Sequence, residues 1–250
     1  MVRRAFVVVA DWPYRQLSDA GKLTWCCSGG SENHVGIFIP CCTPEEIEAH
    51  SAPDVSDPTG RGQQHVTFDF MMDKYPRFQS PDNPNYYTKE ANTWLYPILD
   101  VDAADVHALC LRVARLRPYN HFLYRCNYLF FCWPTQCWCS NVDELGPMTC
   151  VAMTMRIIAA AKSGTDEPLR SDAATFRTLR MARLSCHDPC APLVLTAYTP
   201  RAGLEAMQQG GVVGRPIEGF EAAARQCRVA VQQGSALGSG YPLLSLMCRE

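Results

Sequence analysis

The stretch from Pro147 to Gly164 constrains the fold most, because it predicts one helix that is buried on every side. Apolar residues occupy almost every position from Cys150 to Ala161, and a helix that is apolar all round belongs in a protein core. Pro147 suits a helix start, Thr149 can cap the first N–H groups, and Gly164 suits the helix end. The rest of the chain must therefore supply apolar surface around this helix.

Cys150 lies in the first turn of this predicted helix. The positive end of the helix dipole favours the thiolate form of a cysteine placed there. A free cysteine is also among the most buried residue types and is then usually inert. The helix by itself is therefore compatible with a nucleophile and with a packing residue.

Length and composition describe an ordinary globular protein. The 250 residues suit one large domain or one domain with an appendage, and 47% apolar residues can form a sizeable core. A net charge of −2 gives no signature of nucleic-acid binding, and no stretch approaches the length of a transmembrane span. The apolar run at residues 5–10 is too short for a secretory signal, so we expect a reducing compartment such as the cytoplasm. Most of the 14 cysteines should then be thiols, with disulfides the alternative for a protein that matures elsewhere.

Periodicity predicts strands and helices in residues 1–165 and, after a shift in composition at Gly164, further helices in residues 166–250. A further helix follows Asp102 and is ended by Pro118, and two more should run from Pro200 to Gly210 and from Ile217 to Gln233. The segment Ile47–His50 is open between a strand and a short helix. The predicted strands are Ala5–Ala10, Leu23–Cys27, His34–Ile39 (ended by Pro40), His65–Met71 and Trp94–Leu99, where Pro97 suggests a sheet edge.

The cysteines do not favour a metal centre. Structural zinc commonly uses two close pairs with a C-x₂₋₄-C spacing, and Cys186 and Cys190 form one pair of that kind. A second group lies in an aromatic segment that suggests packing: Cys126, Cys132, Cys137 and Cys139. We therefore predict no metal ion and no cofactor.

His34 and Cys150 form the strongest candidate for a catalytic pair. A cysteine nucleophile needs a base within hydrogen-bonding reach and a third polar group that orients the imidazole. A histidine on a strand that faces the start of a buried helix supplies that geometry. A strand histidine without any task is the alternative interpretation of His34.

Several short motifs follow one another in a distinctive order: His34–Ile39, Ile47–Ala49, Arg117–Asn120, Cys150–Val151 and Thr199–Pro200. They resemble the circularly permuted papain-like cysteine hydrolases, which include permuted NlpC-type enzymes and lecithin:retinol acyltransferase-like proteins. In that superfamily the histidine strand comes first, a second strand carries the third polar residue, and the cysteine helix comes last; the pattern His-x-Gly-Ile-aromatic is its most recognisable signature. The resemblance implies an α+β fold: a permuted papain-like domain, residues 1–165, in which an antiparallel sheet packs on the cysteine-bearing helix, with a helical C-terminal extension, residues 166–250, packed on it.

The resemblance implies a role for each matching residue. Cys150 would be the nucleophile, His34 the base and Glu48 the group that orients the imidazole. His50 lies two residues beyond Glu48 and is the alternative third residue, and His65 is a weaker choice.

The resemblance also implies a thiol hydrolase or acyltransferase that acts on an amide, ester or thioester. Its substrate would be a peptide, an isopeptide or a lipid-like acyl donor. The alternative is a non-catalytic structural or interaction protein, such as a virion component, on a papain-like scaffold. Oligomeric state and assembly partners are not indicated by the sequence.

Overall fold

The computed structural model shows an α+β protein in which an antiparallel sheet packs against helices, as predicted. Its six described strands follow the order β4-β3-β2-β1-β5-β6. They are β1 (Phe6–Asp11), β2 (His34–Cys42), β3 (Gln64–Asp69), β4 (Arg77–Gln79), β5 (Asn92–Pro97) and β6 (Ile217–Glu218). The residues described are 4–11, 22, 34–42, 64–69, 76–79, 92–116, 145, 148–180, 195 and 198–225.

Two central strands, β1 and β2, explain why the chain carries continuous apolar runs. Each has a neighbouring strand on both sides and each is covered on both faces, so its side chains are buried whichever way they point. Phe6–Ala10 is buried throughout, and so is His34–Pro40. The β-branched residues in both runs suit this environment.

The structure corrects three details of the predicted strands. Strand β2 continues past Pro40, and a register shift against β3 between Ile39 and Cys42 accommodates this residue. Pro97 does not mark an edge, because β5 lies between β1 and β6. Ile217 begins a short strand, and the following helical segment starts at residue 220.

The helices agree with the predicted start after Asp102 and with the predicted limits at Thr149–Gly164 and Pro200–Gly210. They are α1 (Ala103–Leu116), α2 (Cys150–Ser163), α3 (Glu167–Arg170), α4 (Asp172–Thr178) and α5 (Pro200–Gln209). In α2, the Thr149 hydroxyl accepts a hydrogen bond from the N–H of Ala152 at 3.2 Å, and Gly164 ends the helix with φ +65°. Residues 151–160 are all buried, which confirms the central helix inferred from the sequence.

Two hydrophobic clusters cover the two faces of the sheet. The larger joins Val35, Ile37 and Phe68 to α1 and α2 and to helices that follow residue 165. The smaller packs Phe38, among others, against Ala223. Residues after 165 thus contribute to both clusters and add β6 to the sheet. The domain boundary at residue 165 stays a prediction.

Candidate active site

The structure brings His34 and Cys150 together. His34 is the first residue of β2, Cys150 is the first residue of α2, and their side chains form a hydrogen bond. The cap at Thr149 fixes where α2 begins, and β2 packs against that helix within the larger cluster. The start of the strand and the start of the helix therefore carry the base and the thiol to one place.

Asp69 is the second partner of His34. Its Oδ1 lies 2.8 Å from Nε2 of His34, and the two side chains are only 1% and 5% exposed. Asp69 ends β3, whose register pairs Ile37 with Phe68 and Phe38 with Thr67. Continuing that antiparallel register by one pair places Asp69 opposite Gly36.

Gly36 provides the space for this contact. A β-carbon at residue 36 would overlap Oδ1 of Asp69 and would lie 3.0 Å from the carbonyl oxygen of Phe68. Gly36 is two residues from His34 along the strand, so both residues face the same side of the sheet. The missing side chain therefore lets the carboxylate reach across to the imidazole.

The second carboxylate oxygen of Asp69 is also bound. The side-chain amide of Gln79, in β4, donates a hydrogen bond from Nε2 to Oδ2 of Asp69 at 2.7 Å. Gln79 is fully buried, as is Thr67, which pairs with it in the sheet. The chain Cys150–His34–Asp69–Gln79 thus connects α2 to three consecutive strands.

This environment strongly favours the imidazolium form of His34. Burial alone lowers the pKa of His34, but hydrogen bonds with Asp69 and Cys150, together with their negative charges, raise it to about 10. At neutral pH, His34 therefore carries a positive charge beside the thiol. Such a charge favours the thiolate form of a neighbouring cysteine.

Cys150 combines this neighbour with access to solvent. Its side chain is partly exposed, whereas Cys110 on α1 is fully buried. Reactive cysteines lie in partly exposed, electropositive surroundings, and structural cysteines lie in apolar ones. The helix dipole of α2 adds to the effect at Cys150. The arrangement can therefore perform nucleophilic attack by sulfur with proton transfer through imidazole.

A buried arginine braces the segment that precedes Cys150. Arg156 on α2 binds Asp172 through Nε and Nη2, at 3.1 and 2.6 Å, and also donates to the carbonyl oxygen of Leu145. Asp172 in turn accepts a hydrogen bond from the N–H of Leu195 at 2.9 Å. Arg156 thus links Leu145, which precedes α2, to Asp172 at the start of α4.

The other predicted site residues divide into two groups. Glu48 and His50 lie outside the described residues, as do all the cysteines considered for zinc, so these predictions remain predictions. His65 is buried on β3 with its ring centroid 6.2 Å from that of Phe38. Within the described part of the chain, no group of three or more His, Cys, Asp and Glu residues could hold a metal ion.

The sequence analysis missed Asp69 and Gln79. The available signal was the alternation in His65–Val66–Thr67–Phe68–Asp69, where every second residue is polar although β3 follows a buried strand. A carboxylate on such a strand needs a buried partner. His34, on the neighbouring strand β2, is that partner.

Comparison of this chain with known proteins finds no similar protein. No protein family, curated protein or solved structure gives a significant match to this chain. None of the helices in the described ranges is long and apolar enough to span a membrane.

Proposed function

We propose that this protein is a cysteine-dependent acyl-transfer enzyme in which Cys150 is the nucleophile, His34 the acid–base group and Asp69 the group that orients His34. The observation that carries the proposal is the contact of a single buried histidine with both a partly exposed thiol and a buried carboxylate. A nucleophile, its base and an orienting third group are the defining parts of a catalytic triad.

The reaction begins from a thiolate–imidazolium pair. The thiolate of Cys150 attacks the carbonyl carbon of an amide, ester or thioester, and His34 gives its proton to the departing amine, alcohol or thiol. The carbonyl oxygen becomes negative during the attack. The N–H of Cys150, at the positive end of α2, is the candidate donor to that oxygen.

The second half of the reaction restores the site. A water molecule, amine or hydroxyl group loses its proton to the neutral imidazole and attacks the thioester on Cys150. The acyl group leaves with the acceptor, and the thiolate and imidazolium form again. Water gives a hydrolase, and another acceptor gives an acyltransferase.

The chain order supports a permuted papain-like relationship. The histidine strand precedes the cysteine helix, the third group comes from a strand between them, and the sheet is antiparallel. This is the order of the superfamily that the sequence motifs resemble. The assignment of Asp69 replaces Glu48 in the proposed triad, because Asp69 makes the contact with Nε2 of His34.

The test is to trap the acyl-enzyme. The purified full chain is incubated with an activated ester such as p-nitrophenyl acetate and quenched in acid, and peptide mass spectrometry then locates the acetyl group. We expect rapid acetylation of Cys150, a loss of that product in Cys150→Ser, and slow acetylation in His34→Gln.

The matched control is Cys110→Ala, which removes a buried cysteine on α1 and should leave acetylation of Cys150 unchanged. Acetylation spread over many cysteines at similar rates, or independent of His34, would contradict the proposal. In that case a structural role on a papain-like scaffold would be the better interpretation.

A further inference from the structure

We propose that Gln79 is a positioning residue of this site: its amide keeps the Asp69 carboxylate ionised and aimed at His34. The inference rests on the proposed function and adds a fourth group to the triad. The geometry that carries it is the hydrogen bond of 2.7 Å from Nε2 of Gln79 to the Asp69 oxygen that does not bind His34.

The backbone holds Gln79 in place for this contact. Gln79 pairs with Thr67 in the ladder between β3 and β4, and the Thr67 hydroxyl donates to the carbonyl oxygen of Gln79 at 3.3 Å. Asp69 is two residues beyond Thr67 on the same side of β3, so the amide reaches it as a diagonal cross-strand neighbour. Both Gln79 and Asp69 are buried, so the contact between them is shielded from bulk solvent.

The side-chain amide of Gln79 is oriented toward Asp69 rather than toward a partner for its own oxygen. Oε1 of Gln79 is buried and has no hydrogen-bond partner in the part of the chain that the structure describes, which costs free energy. The opposite orientation would place an acceptor against the Asp69 carboxylate. The amide therefore points its donor at the negative charge even though its oxygen then has no partner among the described residues.

The consequence for His34 follows from the charge of Asp69. A buried carboxylate stays ionised only while donors and cations stabilise it, and both Gln79 and His34 act on Asp69 in this way. Without the amide, the carboxylate loses a donor and is free to rotate away from His34. The imidazolium form of His34, and with it the thiolate of Cys150, then becomes less favourable.

Two substitutions at residue 79 separate this role from packing. Gln79→Met keeps the approximate size and removes the donor. We expect it to slow acetylation of Cys150 by about tenfold at every pH, on the scale of a lost hydrogen bond to a charged group. Gln79→Glu replaces the amide nitrogen by an oxygen that donates only when protonated, so a proton shared with Asp69 can restore the contact at low pH.

The acetylation rate with p-nitrophenyl acetate is therefore measured from mildly acidic to mildly alkaline pH. Relative to wild type, Gln79→Glu should be nearly restored at acidic pH and should lose activity as the shared proton dissociates. Thr67→Val, which removes a hydrogen bond to the backbone of Gln79 only, is the matched control and should stay within about twofold of wild type. NMR of ¹⁵N-labelled histidine should show a lower pKa of His34 in Gln79→Met.

The outcomes distinguish this inference from the proposed function. If wild type acetylates Cys150 through His34 but Gln79→Met behaves as wild type, the triad stands and the positioning role is wrong. Equal losses in Gln79→Met, Gln79→Glu and Thr67→Val at all pH values would also overturn it, because they indicate general damage to the sheet. If wild type does not acetylate Cys150, the pKa of His34 by NMR still decides whether Gln79 supports Asp69.

Discussion

At the scale of single residues, the spacing His-x-Gly has a direct physical explanation in this chain. His34 supplies the imidazole, and Gly36 leaves room for the carboxylate that binds it. Since any β-carbon at residue 36 would overlap Oδ1 of Asp69, the glycine and the carboxylate depend on each other. The motif therefore carries information about a partner that is distant in sequence.

Asp69→Asn tests the charge of the third residue. The amide keeps the shape and can still accept a hydrogen bond, but it does not balance the positive charge of His34. We expect acetylation of Cys150 to slow by at least about tenfold, on the scale of losing an orienting group. The pKa of His34 should fall, which histidine NMR measures.

Glu48→Gln and His50→Gln are the comparison variants for that experiment. Both residues lie outside the described part of the chain, and the resemblance to papain-like proteins favours Glu48 for the third role. Glu48→Gln should have a much smaller effect than Asp69→Asn. The reverse ranking would return the orienting role to Glu48, and a dominant effect of His50→Gln would assign it to His50.

Gly36→Ala tests the close approach. The added methyl group should push the Asp69 carboxylate away from His34, so acetylation of Cys150 should slow by about tenfold or more. Gly214→Ala is a matched control, because its new β-carbon would lie 2.9 Å from Cγ of Pro97, away from the site. Activity that is unchanged in Gly36→Ala would show that the carboxylate does not need this space.

The pair His34 and Cys150 could be inferred from the sequence, because each stands at a recognisable start of an element. Asp69 is harder to infer, since the alternation in β3 is the only signal for it and an acidic residue at the end of such a strand usually faces solvent. Asp69 is buried because β3 pairs with β2 on one side and with β4 on the other, and the sequence does not show these pairings. Gln79 was missed because its strand, β4, has only three residues and so carries no periodic signal.

At the scale of elements, α2 is the part of the fold that local signals determine best. Its apolar sequence, its cap at Thr149 and its end at Gly164 agree, so the sequence alone predicts its limits. Strand limits were predicted less well where tertiary pairing decides. Strand β2 extends through Pro40 because of the register shift, and Ile217 joins the sheet because β5 offers it a free edge.

The cap of α2 should affect both stability and chemistry. Thr149→Ala removes the hydrogen bond to the N–H of Ala152 and should lower the free energy of unfolding by about 1 kcal/mol. Because Cys150 is the next residue, fraying at this end should also slow its alkylation by iodoacetamide.

Thr199→Ala is the matched control for the cap. Thr199 caps α5 in the same way, with its hydroxyl accepting from the N–H of Ala202 at 3.1 Å. Its loss should cost similar stability in urea unfolding and leave the alkylation rate of Cys150 unchanged. Equal effects of both substitutions on that rate would mean that the cap matters only through overall stability.

At the scale of the whole molecule, the site joins parts of the chain that are far apart in sequence. His34 and Cys150 are brought together by a core in which the sheet, α1, α2 and the later helices share one cluster. Arg156 extends this connection from α2 to Asp172.

The pH dependence of stability follows from His34. Its pKa is raised from 6.5 to about 10 in the folded protein, so the folded state binds this proton more tightly than the unfolded state. The resulting stabilisation is fully present below pH 6.5 and is lost as the pH rises through about 10. Urea unfolding of wild type and His34→Gln should thus differ most at low pH, and the difference should shrink across this window. A difference that grows with pH would contradict the charged state of His34.

The pH dependence of Cys150 alkylation tests the central claim most directly. The rate with iodoacetamide is measured by peptide mass spectrometry for wild type and His34→Gln over a wide range of pH. We predict that wild type reacts rapidly well below about pH 8.5, the ordinary pKa of a cysteine thiol, because the thiolate is already paired with imidazolium. His34→Gln should return the profile to about pH 8.5. A wild-type profile already centred there, and unchanged by His34→Gln, would show that Cys150 and His34 do not form a catalytic pair.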